Sequence, residues 1–144
     1  SKASRSFMKY WLVKTEPGCW SWAMQEEARV TSWDGVRNYQ ASNNMKAMGL
    51  GDLSFFYHSV SEKSIVGIVK VVGLYEPDPT DPTGRFGMVK FEAVTPFKKP
   101  VNLAQIKDDP RLQDLALIRQ SRLSVMPIDP ASWQVLCDLG QVRL

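Results

Sequence analysis

The sequence predicts an α+β domain whose strands form a small, mostly antiparallel barrel or curled sheet, with short helices at its periphery. Three observations carry that expectation. Residues 64–75, "SIVGIVKVVGLY", are rich in Ile and Val and almost continuously apolar, as a strand buried on both faces must be. Strand-like segments cluster in the middle of the chain without the regular strand–helix alternation that builds a parallel sheet. Capped helix signals stand on both sides of that cluster.

Along the chain, "KYWLVKTEP" at residues 9–17 leads with aromatic and β-branched residues and meets a proline that cannot continue a ladder, so it reads as a strand closing in a turn. Ser21 suits an N-cap for a short helix through "WAMQEEA". A second helix is expected over residues 39–48, with Met45 and Met48 on one face and Gly49 as its stop. Gly51 and Asp52 make a turn into a strand at residues 53–58, and the strand at 64–75 follows. The loop "EPDPTDPTGRFG" is too dense in proline and aspartate for regular structure. "MVKFEAVTPF" alternates, with Lys90 and Glu92 on one face and Val89, Phe91 and Ala93 on the other. "NLAQIKDDPRLQDLALIRQ" suggests two short helices around Pro110, "RLSVMPI" a closing strand, and "DPASWQVLCDLG" a last helix with Asp129 as cap, Pro130 at its first position and Gly140 as stop.

At 144 residues the chain has the size of one domain able to bury a core, and residues 8–144 are read as that single domain. The opening "SKASRSF", residues 1–7, reads as a leader without fixed structure. It lacks the apolar middle of a secretory signal, and no run is long enough to span a bilayer. The expected location is the cytoplasm, or the nucleus in a eukaryotic source, with no membrane partner. Setting aside Lys2 and Arg5 leaves 16 basic against 15 acidic residues, so the body has no whole-molecule field for nucleic acid. Any nucleic-acid partner must be held by local basic positions and a base-sized pocket. Cys19 and Cys137 are far apart and fit no metal spacing, so both read as free thiols, and neither a metal nor a cofactor is expected.

Enzyme signals are sparse. His58 is the only histidine, and nothing places it beside a cysteine or a particular serine. No glycine-rich phosphate loop follows a strand. In "KTE", strand alternation sends Lys14 and Glu16 to one face and Thr15 to the other, against a base-activated hydroxyl.

"SWDGVRNYQASN", residues 32–43, supports two readings. In one, Trp33 anchors the core and Asn38 caps a helix. In the other, Trp33 beside the Asp34-Gly35 turn offers a flat π surface, Asn38 and Tyr39 offer donors and acceptors for a heterocycle's edge, and Arg37 holds a phosphate at the rim. Those are the parts needed for a flipped-out base. Tyr57, His58 and Ser59 at a strand end supply a second candidate wall. Arg119, Arg122 and Lys98-Lys99 are candidate phosphate contacts or simply solvated charges.

Six separated segments, "YWLVKTEP", "WDGVRNYQASN", "GDLSFFYHS", "IVGIVKVV", "YEPDPT" and "RLSVMPI", resemble the EVE domain family in order and spacing over residues 8–139. The resemblance implies a PUA-like fold, a small twisted β-barrel, and a non-catalytic monomeric reader of a modified base, a modified cytosine above all, in DNA or RNA. By position it implies ligand contacts at Trp11, Lys14, Trp33, Asn38, Tyr39, Tyr57, His58 and Ser59. Arg37, Gln40, Arg119 and Arg122 are the expected phosphate or rim contacts. A related ASCH-like hydrolase, working through Lys14, Thr15 and Glu16, is the alternative. The chain departs from the family pattern at Ser42, where arginine is frequent, and at Val60, where asparagine follows His-Ser; both changes imply a less polar site.

Overall fold

The computed structural model describes residues 8–144, so residues 1–7, expected to be a leader, lie outside the described residues. Six strands form one sheet in the order β2-β5-β4-β3-β1-β6. They are β1 (Tyr10–Thr15), β2 (Val30–Trp33), β3 (Leu53–His58), β4 (Ser64–Pro77), β5 (Gly87–Asn102) and β6 (Val125–Ile128). β1 and β3 run parallel, and the other four pairings are antiparallel. Among the described residues no ladder joins β2 to β6, so the sheet is open where a closed barrel was expected. The α+β class holds.

The long β4–β5 ladder carries the sheet. Its register slips at several points between Ile65 and Glu76, and such irregularities increase local twist and bend the strands. Both strands outrun their expected ends, because a ladder partner continues to satisfy backbone groups beyond the point where the sequence pattern fades. β2 went unforeseen altogether. It has four residues, "VTSW", and exists through pairing with residues 89–92 of β5, which no local pattern announces.

The helices are α1 (Trp22–Ala28), α2 (Tyr39–Lys46), α3 (Leu103–Asp108), α4 (Ala116–Arg119) and α5 (Pro130–Gly140), with a 3-10 turn at Pro110–Leu112. Their starts obey sequence rules: the side chains of Ser21, Asn38, Asn102 and Asp129 each accept a first-turn N–H. Asn102 and Gln105 form a reciprocal capping box. The stops differ from expectation. α2 ends at Lys46, and Gly49 serves instead as a donor to the Asp52 carboxylate at 2.9 Å. Gly140 is the last residue of α5, while Gln141 takes the left-handed conformation. Glycine is needed at 140 for packing, since a Cβ there would stand 2.3 Å from the Phe97 ring.

The core holds Leu12, Phe55, Phe56, Ile65, Ile68, Phe91, Met126 and Leu136, all with essentially no exposed surface. Trp133 of α5 stacks on Phe55 at 3.9 Å and on Tyr10 at 4.5 Å, which seals the helix to β1 and β3. No helix among the described residues is long and apolar enough to cross a membrane.

Candidate functional site

The open seam of the sheet holds the candidate site. A cleft of about 570 Å³ lies between the end of β1, represented by Lys14 and Thr15, and the edge strand β2 with the loop that follows it, residues 31–37. Cys19 and Trp20, from the turn after β1, and Ser124, just before β6, complete the wall. The sheet that fails to close thus leaves a concave, partly apolar opening, the form in which small planar ligands are bound.

Trp33 is one wall, but most of its ring belongs to the core. It is 8% exposed and packs edge-on against Phe56 at 5.7 Å and Phe91 at 5.4 Å. Trp20 is the more exposed indole of the cleft, held by its N–H donating to the Gln25 side chain at 2.8 Å. Lys14 sits at the lip: Nζ donates to the Ser121 carbonyl at 2.8 Å and stands 5.9 Å from the Tyr57 ring centre. Burial lowers its pKa from the ordinary lysine value. Thr15 also lines the cleft, because alternation ends where β1 ends, yet its hydroxyl donates to the Trp20 carbonyl at 3.0 Å.

Asp78 fixes the far wall. Its carboxylate is fully buried and accepts from Gly35 N–H at 2.8 Å, Arg37 Nη1 at 2.9 Å, Thr80 N–H at 2.8 Å and Thr80 Oγ1 at 2.6 Å. Burial alone would raise its pKa; the bonds from Thr80, Gly35 and Arg37 outweigh that and hold the carboxyl well below the usual carboxylate range. "DPTDPT" therefore encodes more than a loop. Asp78 and Asp81 each accept the N–H and hydroxyl of the threonine two residues on, and the first of these turns presents its other oxygen to the cleft wall.

Several expected ligand contacts are placed elsewhere. Trp11 is 4% exposed and gives its indole N–H to Asp52 at 3.1 Å, as a core residue of β1. Asn38 commits its Oδ1 to the α2 cap, accepting from Ala41 N–H at 2.9 Å, while its amide N–H2 makes no hydrogen bond among the described residues. With Gln40 and Arg122 it lines a separate shallow depression of about 340 Å³ beside Ser121. Tyr39 is 58% exposed and lies against Phe86 at 4.9 Å. Tyr57 is buried, which pushes its phenol up to about 12. His58 accepts the Trp22 backbone N–H at Nε2, so Nδ1 carries the proton that meets Glu62. Ser59 donates its backbone N–H to the Thr15 carbonyl at 2.9 Å. Tyr57, His58 and Ser59 extend the β1–β3 pairing and its core rather than forming the facing wall. Arg37 is committed to Asp78 and Thr80, and Arg119 to the Gln113 carbonyl and Asp114.

The two departures from the family pattern also change meaning. Ser42 is 2% exposed on the inner face of α2, its hydroxyl 2.7 Å from that of Tyr75, so it is no rim position. Val60 is in the β3–β4 turn at φ +72°, outside the cleft, in a region that a β-branched residue enters at a cost of about 1–2 kcal/mol. Asparagine tolerates that conformation. Val60→Asn is expected to raise the unfolding free energy by about 1 kcal/mol, read from urea titrations, with the cleft unaffected. A fall in stability would mean that the valine's contacts outweigh its strain.

Trp20, Cys19 and Asp34 were missed by sequence reasoning, whereas Ser124 lies within the "RLSVMPI" segment that carries the family resemblance. The one local signal was Pro17-Gly18, a turn that sets Trp20 opposite residues 31–37 only once β2 has paired.

Comparison with known proteins agrees with this architecture. The EVE domain family model matches residues 9–139. A Rhodopseudomonas palustris protein solved by NMR is 46% identical, with a TM-score of 0.88 over 93% of this chain and 94% of its own. The human THYN1 protein, solved in complex with DNA containing 5-methylcytosine, is 29% identical, with a TM-score of 0.84 over 94% of this chain and 99% of its own. Human thymocyte nuclear protein 1 is 29% identical over 171 aligned positions, 95% of this chain and 76% of the relative. The chain belongs to the EVE domain family.

Proposed function

We propose that the cleft between β1 and β2 receives a planar base extruded from nucleic acid and binds it without altering it. The observation that carries this reading is a 570 Å³ opening walled by Trp20 and Trp33, with the Lys14 ammonium at its lip. An indole face and a cation suit a flat, acceptor-bearing heterocycle. DNA with a modified cytosine is the proposed class of partner, supported by the 5-methylcytosine DNA in the human THYN1 complex. Backbone phosphates would be met by Arg122, which makes no side-chain ion pair among the described residues, and by Gln40 beside it, along the shallow depression that adjoins the cleft at Ser121. The geometry favours hydrolysis through Lys14, Thr15 and Glu16 less: Lys14 and Thr15 line the cleft, but Glu16 does not. Among the described residues, Thr15 donates to a carbonyl and no base accepts from it.

The test is titration of single-stranded and duplex oligonucleotides, with cytosine or 5-methylcytosine at one position, against wild type and Trp20→Ala. Circular dichroism establishes that the variant is folded. Stacking on an aromatic contributes about 1–3 kcal/mol per base, so the variant is expected to bind the modified strand about tenfold more weakly. Equal binding by both proteins would remove the aromatic wall from the reading.

A further inference from the structure

Three charged side chains line the cleft, and they are not equivalent. Arg37 is consumed by Asp78 and Thr80. Lys14 gives one of its three N–H groups to the Ser121 carbonyl, and among the described residues no carboxylate lies within ion-pair distance of it. Asp34 lines the opposite wall, and among the described residues its carboxylate accepts no hydrogen bond. Its backbone is nevertheless fixed: Asp34 N–H bonds the Ser32 carbonyl, and Gly35, at φ +79°, is tied to buried Asp78. The cleft therefore presents an unspent anionic acceptor on one side and unspent cationic donors on the other.

We propose that Asp34 and Lys14 select a cytosine-class base by its pairing edge, Asp34 accepting from the exocyclic amine and Lys14 donating to the ring nitrogen or the C2 carbonyl oxygen. This rests on the base-binding reading and assigns the residues that give it specificity. Carboxylate acceptors are suited to the cytosine amine. A thymine or uracil in the same pose turns a carbonyl oxygen toward Asp34, so two acceptors meet and both lose solvation without a partner. Lys14 keeps two N–H groups free at the lip of the cleft, and a carbonyl brought by the ligand can accept from them. A substituent at C5 is off the pairing edge, so the pair reads the base while the rest of the cleft accommodates the modification.

The deciding experiment compares single-stranded oligonucleotides that differ at one position, 5-methylcytosine against thymine. Both bases carry the C5 methyl group, and single strands remove any bias from a pairing partner. Wild type is expected to bind the 5-methylcytosine strand about tenfold more tightly. Asp34→Asn, whose amide offers a donor as well as an acceptor, is expected to bring the two affinities to within about threefold of each other, with its folding unchanged. Lys14→Met is expected to weaken binding of the 5-methylcytosine strand by about tenfold. Equal binding of the two strands by wild type, or an unchanged ratio in Asp34→Asn, overturns the assignment while leaving base binding intact. Failure of wild type to bind either strand overturns the base-binding reading as well.

Discussion

Trp33→Ala is expected to lower the unfolding free energy by about 3–5 kcal/mol and to abolish ligand binding with it. The size follows from where the ring sits. Trp33 ends the edge strand β2, and its 8% exposure leaves nearly all of the indole packed against Phe56 and Phe91. Removing it takes away two edge-to-face contacts and opens a void between β5 and β3, which a short edge strand held by one neighbour cannot fill by shifting. Trp33→Phe keeps an aromatic ring there and is expected to recover more than half of the loss. Urea denaturation of the three proteins measures this directly. A loss below about 1 kcal/mol for the alanine variant would place the indole outside the core and contradict the packing described.

Asp78→Ala is expected to cost about 3 kcal/mol at pH 7, because it strands Arg37, the Gly35 N–H and both Thr80 donors around a buried gap. Its pH dependence distinguishes the carboxylate's charge from mere packing. The folded-state pKa of Asp78 lies below its unfolded value, so the unfolded chain takes up the proton first as pH falls. The stabilisation is complete above the unfolded value, about pH 4, and is lost as pH drops from there toward the folded value. The gap between wild type and variant should accordingly narrow below about pH 4. A gap that stays constant down to pH 2.5, roughly, would assign the effect to shape alone. Ligand affinity should fall in the variant even where it is folded, since Gly35 and Arg37 carry the wall that presents Asp34.

The helix starts were legible because capping is local. Ser21, Asn38 and Asp129 each meet the N–H group three residues ahead, and the residue type alone announces the bond. The same locality misled the reading of the site. Asn38 was a candidate for a base edge by virtue of its amide, yet the α2 cap uses its oxygen first. His58 and Tyr57 have site-like chemistry at a strand end, but the parallel pairing of β3 with β1 turns them into the core and its border. Trp20 and Asp34 carried little signal in sequence, and they line the cleft because strands distant in the chain bring them there.

The amino-acid sequence by itself determined the α+β class, most of the strands and helix caps, and membership of a family through six dispersed segments. Those features depend on side-chain period, β-branching and capping chemistry within a few residues, which act before any long-range contact forms. Tertiary structure decided that the sheet stays open, that β2 exists, which tryptophan faces solvent and which charges remain unspent. Each of these turns on pairing between segments far apart, such as residues 30–33 with 89–92 and Lys14 with Ser121. A polar side chain acts on a ligand only after the fold has settled which of its hydrogen bonds are already taken. On that count Arg37 is occupied and the Asn38 oxygen is taken by the α2 cap, whereas the Asp34 carboxylate and two of the Lys14 N–H groups have no bond among the described residues.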